Sequence, residues 1–190
     1  MSTPDLQTRR WTRAEYERIV EAGVLQPEER VELLDGEILT MTPQNSPHAA
    51  TVGLVERVLQ RVFGPDHWVR VQLPLIVDPD SEPEPDLAVV SGTPRDYVAE
   101  HPRTALLVVE VADTTLEKDR DRKAAIYARA GVPEYWIVNF VDRCLEVYQD
   151  PVFPPNQPAR YQTSRRLMAT DRIAPLARPD ASVSVADLLP

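Results

Sequence analysis

Residues 85–135 read PDLAVVSGTPRDYVAEHPRTALLVVEVADTTLEKDRDRKAAIYARAGVPEY, and three polar side chains stand there where apolar ones are the default. Asp86 opens the apolar run 87–90, Glu110 closes the run 106–109, and Lys123 lies within a helical pattern. A short, nearly unbroken apolar run is the pattern of a strand covered on both faces. A carboxylate buried at its end costs several kcal/mol or more unless it is paired, protonated or bound to a cation, so Glu110 needs a partner. The following segment supplies candidates. Thr114 with Glu117 reads as a capping box, Gly131 as the stop and Pro133 as a block to continuation, giving a helix over 115–130. Lys123 falls on its apolar stripe of Leu116, Ile126, Tyr127 and Ala130 and therefore points inward. Asp119 lies near the same face, whereas Arg120, Arg122 and Arg129 are free to spread toward solvent.

Beyond this stretch, EYWIVN (134–139) and CLEVY (144–148) flank a turn near Asp142 and read as a hairpin. A Pro-rich loop is expected over 149–160, then a short strand at 161–163, a basic pair Arg165 and Arg166, and a final helical turn at 185–189. Before it, residues 68–77 alternate as a strand, with Pro74 suggesting an edge position or a bulge. Gln72 there serves either a substrate or a backbone group, the second being commoner. The acidic run Asp78, Asp80, Glu82, Glu84 is broken by prolines and reads mostly as a solvated loop. Taken in isolation, Asp86 fits a turn or cap residue.

Nearer the amino terminus, Thr12 and Glu15 form a capping box for a helix ending at Gly23. RVELLDGEILTM (30–41) is a hairpin around Asp35 and Gly36. Glu32 in its first arm is read most simply as a solvent-facing strand residue. Ser46 and Pro47 read as the N-cap and first turn of a helix to about Phe63, with His48 as a packing or capping residue. His67 and His101 form no metal set.

With 190 residues, the chain is expected to form one domain over 1–190, burying roughly 70% of its unfolded surface. No signal-peptide core and no run long enough for a bilayer is present, so a soluble, cytoplasmic protein is expected. Cys144 stands alone, which excludes an internal disulfide. A net charge of -9 argues against non-specific coating of nucleic acid, yet not against a nuclease, because carboxylates that hold metal contribute to that count. The six glycines are too dispersed for a phosphate loop or dinucleotide fingerprint. Neither G-x-S-x-G, paired cysteines nor H-E-x-x-H occurs.

Pro85-Asp86, the strand-borne Glu110 and the downstream Lys123 resemble the PD-(D/E)XK nuclease superfamily. More closely, the chain resembles the Uma-two family of restriction endonucleases, through VELLDGEI (31–38), SPH (46–48), EPDLAVV (84–90), VVEVAD (108–113), the spaced Asp119, Lys123 and Tyr127, and GVPEYWIV (131–138). That resemblance implies an α/β (α+β) fold, a restriction-endonuclease-like mixed central sheet flanked by helices. It implies Asp86 and Glu110 as metal-binding carboxylates, Lys123 as the catalytic lysine, and Glu32 as a fourth catalytic and metal-binding member. One departure stands out: two residues after Glu110, where the simplest superfamily pattern has its lysine, lies Ala112.

The implied chemistry is phosphodiester hydrolysis of DNA with Mg2+ or Mn2+ on hard oxygen ligands, with Arg70, Arg120 or Arg122 engaging flanking phosphates. A homodimer is expected from the resemblance and from pairing of an exposed strand edge. Two alternatives stay open: a silent scaffold in which Glu110 and Lys123 form a structural ion pair, and a phosphodiesterase acting on small substrates.

Overall fold

The computed structural model describes residues 8–26, 29–41, 43–113 and 116–190. Its centre is a six-stranded mixed sheet in the order β3-β4-β5-β6-β7-β8. The strands are β3 (His67–Val71), β4 (Leu87–Ser91), β5 (Leu107–Ala112), β6 (Glu134–Asn139), β7 (Cys144–Val152) and β8 (Arg160–Met168). β5 and β6 run parallel, and every other neighbouring pair is antiparallel. The parallel pair follows from its crossover: 21 residues or so separate the two strands, enough for a helix to return the chain over one face.

Alternation along β5 divides the core. Leu107, Val109 and Val111 face α2 (Ser46–Phe63), meeting Val55, Leu59 and Phe63 in one apolar layer with Trp136 and Val138. Val108 and Ala112 face the opposite layer, which holds Ala124, Tyr127 and Tyr135. Each such aliphatic side chain, fully buried, contributes about 1.5–3 kcal/mol. Glu110 shares the parity of Val108 and Ala112 and therefore points into the second layer. It is the fourth of six residues in β5 rather than its end.

That second layer is built by one helical run in three parts: α3 (Leu116–Lys118), a π turn (Asp119–Lys123) and α4 (Ala124–Arg129). The Ala124 N–H reaches the Asp119 carbonyl, five residues back, and the buried Tyr135 hydroxyl donates to the same carbonyl at 3.1 Å. A side chain inserted into the ladder in this way accounts for the wide turn. The expected cap at Thr114 and start at Thr115 lie outside the described residues.

Below the helical run sits the hairpin β1 (Val31–Leu34) and β2 (Glu37–Thr40). Asp35 and Gly36 between them have φ of 47° and 75°, the left-handed pair that a two-residue hairpin turn demands. α1 (Arg13–Glu21) starts at the Thr12 and Glu15 capping box read from the sequence. β9 (Arg172–Ile173) and β10 (Val183–Ser184) form a small ribbon, and a 3-10 turn at Val185–Leu188 closes the α2 layer. Among the described residues no helix is long and apolar enough to cross a membrane.

Several local expectations are corrected. β3 stops at Val71 rather than continuing to Val77, because Gln72 turns left-handed (φ 50°) and Pro74 lacks an N–H. β3 is nonetheless an edge strand, as Pro74 suggested. The α2 cap is Asn45, not Ser46; its side chain accepts from the His48 N–H at 2.9 Å. Residues 149–152 belong to β7 and pair with β8, so the Pro-rich loop is confined to 153–159. Pro151 is tolerated there because β6 has already ended opposite Gln149, leaving no partner on that side to lose a bond. β8 runs nine residues instead of three, since β7 gives it a backbone template along its whole length. The acidic run is a solvated loop only around the exposed Asp80: Ser81 and Glu82 are buried, and Glu82 exchanges backbone bonds with Leu33 of β1.

Candidate active site

Strand register brings the first two acids together. β4 and β5 pair from Val89↔Leu107 to Leu87↔Val109, which sets Asp86 opposite Glu110 one step further on. The ladder ends there, while β5 continues beside β6 to Ala112. The two strands diverge at the acids, and backbone groups released by the divergence are taken up by carboxylates. The Asp86 N–H donates to Glu110 Oε2 at 3.3 Å, and the Val111 N–H to Asp86 Oδ2 at 2.9 Å.

The π turn delivers the cation. Lys123 Nζ donates to Glu110 Oε1 at 2.9 Å and lies 3.2 Å from Glu32 Oε2. Tyr127, one turn on, donates its hydroxyl to the same Glu110 oxygen at 2.7 Å. All are inside: Glu110 and Lys123 are each 3% exposed, Asp86 8% and Glu32 1%. Asp119 is buried beside them, as its spacing from Lys123 suggested.

Electrostatics follow from this crowding. Burial pushes the Glu110 carboxyl up, to about 8, with Lys123 opposing and Asp86, Asp119 and Glu32 adding to the rise. Burial would lower Lys123, but the carboxylates of Glu110, Glu32 and Asp119 outweigh it and hold the ammonium well above its ordinary value. Burial would raise Asp86, but the hydrogen bond and charge of His48 hold it below the usual range. His48 Nε2 is 3.2 Å from Asp86 Oδ2, and Gln72 Nε2 donates to Asp86 Oδ1 at 3.1 Å.

Asp86, Glu110, Lys123, Asp119 and His48 line a cleft of about 310 Å³ together with Met41, Pro43, Asn45, Asp113, Arg30, Glu84 and Lys118. Sequence patterns do not single out Glu84 and Lys118, which line the cleft, or give a site role to Tyr127, which holds Glu110 without lining it. Glu84 stands in the Pro-rich acidic run, with its place two residues before Asp86 as the one signal. Tyr127 shares the apolar stripe that carries Lys123, and Lys118 carries no signal. His48 and Gln72, whose patterns point to capping and backbone roles, both touch Asp86.

Glu32 sits one step away. It does not line the cleft, and its oxygens take Lys118 Nζ at 3.0 Å, the Glu84 N–H at 3.3 Å and Lys123. The solvent-facing reading of Glu32 is therefore wrong, since β1 is buried along its whole length under the helical run. Arg70, expected near phosphate, is fully buried and donates to the Pro74 carbonyl. Arg120 is held by Glu146, Arg122 by Glu37 at 2.9 Å, and Arg129 by Asp35 at 2.7 Å. Arg120, Arg122 and Arg129 keep 37%, 27% and 41% of their side chains in solvent while pairing with carboxylates of the hairpin and β7.

Over residues 13–186 the chain matches the Uma2 family, described as "Putative restriction endonuclease". The chain belongs to the Uma2 family. Among solved structures it is similar to one described as a "putative nuclease belonging to DUF820" from Anabaena variabilis, with a TM-score of 0.70 and 14% identity over 93% of this chain and 96% of that one. At that identity the likeness shows the fold, a mixed nuclease-like sheet flanked by helices. No curated protein matches.

The residues that would hold a metal here are two hard carboxylates, Asp86 and Glu110, side by side, with the buried Asp119 near them. Among the described residues no three His, Cys, Asp or Glu side chains converge as a ready-made cage. That composition fits Mg2+ or Mn2+, which are held by one or two carboxylates and complete their shells with water and substrate phosphate.

Proposed function

We propose that this protein is a metal-dependent endonuclease that hydrolyses DNA phosphodiester bonds in the cleft over Asp86, Glu110 and Lys123. The observation that carries the reading is the convergence of two β-strand carboxylates and a buried lysine in the lining of one cleft. An ion pair alone does not call for Asp86, nor for the divergence of β4 from β5. The Uma2 family description brings DNA as the substrate.

Asp86 and Glu110 would hold the Mg2+ or Mn2+ ion, which supplies Lewis acidity toward water and the phosphate. Lys123, kept protonated by its three acid neighbours, is a donor and not a general base. It serves to orient the attacking water or to meet the charge that builds on phosphate oxygens. Glu32 acts through Lys123, fixing its position instead of binding the ion. His48 and Gln72 fix Asp86, and Tyr127 fixes Glu110, so each reacting group is held by a second contact.

One observation favours the scaffold reading: Glu110 already accepts from Lys123, Tyr127 and the Asp86 N–H, as a structural ion pair would. Cleavage of supercoiled plasmid and of single-stranded DNA in Mg2+ or Mn2+ separates the two, with wild type beside equally pure Asp86→Ala and Lys123→Ala proteins. Metal-dependent cleavage of either DNA that is lost in both variants supports the nuclease. Equal cleavage by all three proteins, or cleavage of neither DNA by any, removes it.

A further inference from the structure

We infer that the cleft admits a single nucleic-acid strand, one nucleotide at a time, and rejects an intact duplex. This rests on the nuclease reading above and concerns the form of its substrate.

Depth comes first. Asp86, Glu110 and Lys123 are all nine-tenths or more buried, so the scissile phosphate has to enter the cleft to reach them. At about 310 Å³ the cleft stands at the bottom of the roughly 300–1,000 Å³ range of sites for one small molecule. A phosphate flanked by its own sugars fits such a space when the strand is unpaired. In a duplex the partner strand and the stacked bases keep that phosphate outside, on the rim.

Charge points the same way. The described residues lining the cleft include five acids, Glu84, Asp86, Glu110, Asp113 and Asp119, against three bases, Arg30, Lys118 and Lys123. Duplex binding requires a broad row of Lys and Arg to replace counterions along two phosphate tracks. The arginines of the neighbouring helical run are neutralised within the protein instead: Arg120 by Glu146, Arg122 by Glu37 and Arg129 by Asp35 and Asp78. Three bases at the cleft match the few charges of one threaded strand. Of the three bases at the cleft, Lys118 and Arg30 can change partner, being 34% and 40% exposed on their present pairs with Glu32 and Glu84, whereas Lys123 is buried. A strand entering the cleft would take both from those carboxylates.

The test is fluorescence anisotropy in Ca2+ with one labelled 30-nucleotide DNA, single-stranded and annealed, followed by cleavage of both in Mn2+. Single-strand binding at least tenfold tighter than duplex binding is expected. Its log affinity should fall against log salt with a slope of about -2, the value for three neutralised phosphates on a single strand, and Lys118→Ala should lower that slope by about 0.7. A forked duplex should be cut only in its unpaired arm. Duplex bound or cut as well as the single strand overturns the inference, and so does failure to bind either DNA. If duplex is cut with dependence on Asp86, the nuclease reading stands and only the strand preference falls.

Discussion

Replacing Lys123 by Met exposes how far the site depends on its cation. Lys123 Nζ is 2.9 Å from Glu110 and 3.2 Å from Glu32, and all three groups are buried. Met fills nearly the same volume, so packing changes little while two carboxylates lose their shared counter-charge. Glu32 keeps Lys118; Glu110 keeps only neutral donors. Removing one member of a buried pair costs about 3–5 kcal/mol. In a chain of this size that corresponds to a fall of about 6–20 °C in Tm, at 2–4 °C per kcal/mol. Urea unfolding followed by tryptophan fluorescence is a suitable readout, since Trp136 is fully buried between sheet and α2. At pH 9, above the value of about 8 to which burial pushes the Glu110 carboxyl, adding Glu110→Gln to the Lys123→Met protein replaces a group that must be either stranded as a charge or protonated at a cost, and should restore about 1–3 kcal/mol. A loss below about 1 kcal/mol for Lys123→Met, or no recovery in the double variant, would refute the coupling.

Gly36→Ala should cost about 1–3 kcal/mol in the same assay, because φ is 75° and a Cβ would meet Arg10 Cβ at 2.7 Å. Gly23→Ala, with φ 65° but nothing within 4 Å, should pay only the left-handed cost of roughly 1–2 kcal/mol. Glu134 gives a pH signature away from the site. Burial raises its carboxyl, despite hydrogen bonds from the Leu176 N–H and Gln149. A raised folded-state pKa means that its contribution is full below the ordinary value near 4.5 and is lost as pH rises through the folded value. Glu134→Gln, neutral throughout, should therefore gain stability relative to wild type between pH 4 and 8; parallel curves would contradict this.

Much of the architecture was written in local patterns. The Asp35-Gly36 turn, the Thr12 capping box and the apolar runs of β5 and β6 each owe their form to residues within a few positions, so the chain spells them out. Lys123 was legible for the same reason, its inward face following from helical spacing. What escaped was set by distant partners. The π turn depends on Tyr135, whose hydroxyl arrives from β6. Burial of Glu32 and Glu82 depends on the hairpin crossing the acidic segment, which no spacing within either stretch reveals. Arginine pairings have the same origin. A surface Arg and a distant Asp carry no mutual signal until the hairpin and α4 are brought together.

Titration calorimetry of Mn2+ into wild type, Asp86→Asn and Glu110→Gln is the most direct measurement. If Asp86 and Glu110 share an ion, wild type binds Mn2+ and each variant binds it at least tenfold more weakly. Wild type that takes up no ion, or Asp86→Asn that binds as wild type does, would contradict the metal-dependent site and leave Glu110 and Lys123 as a structural ion pair.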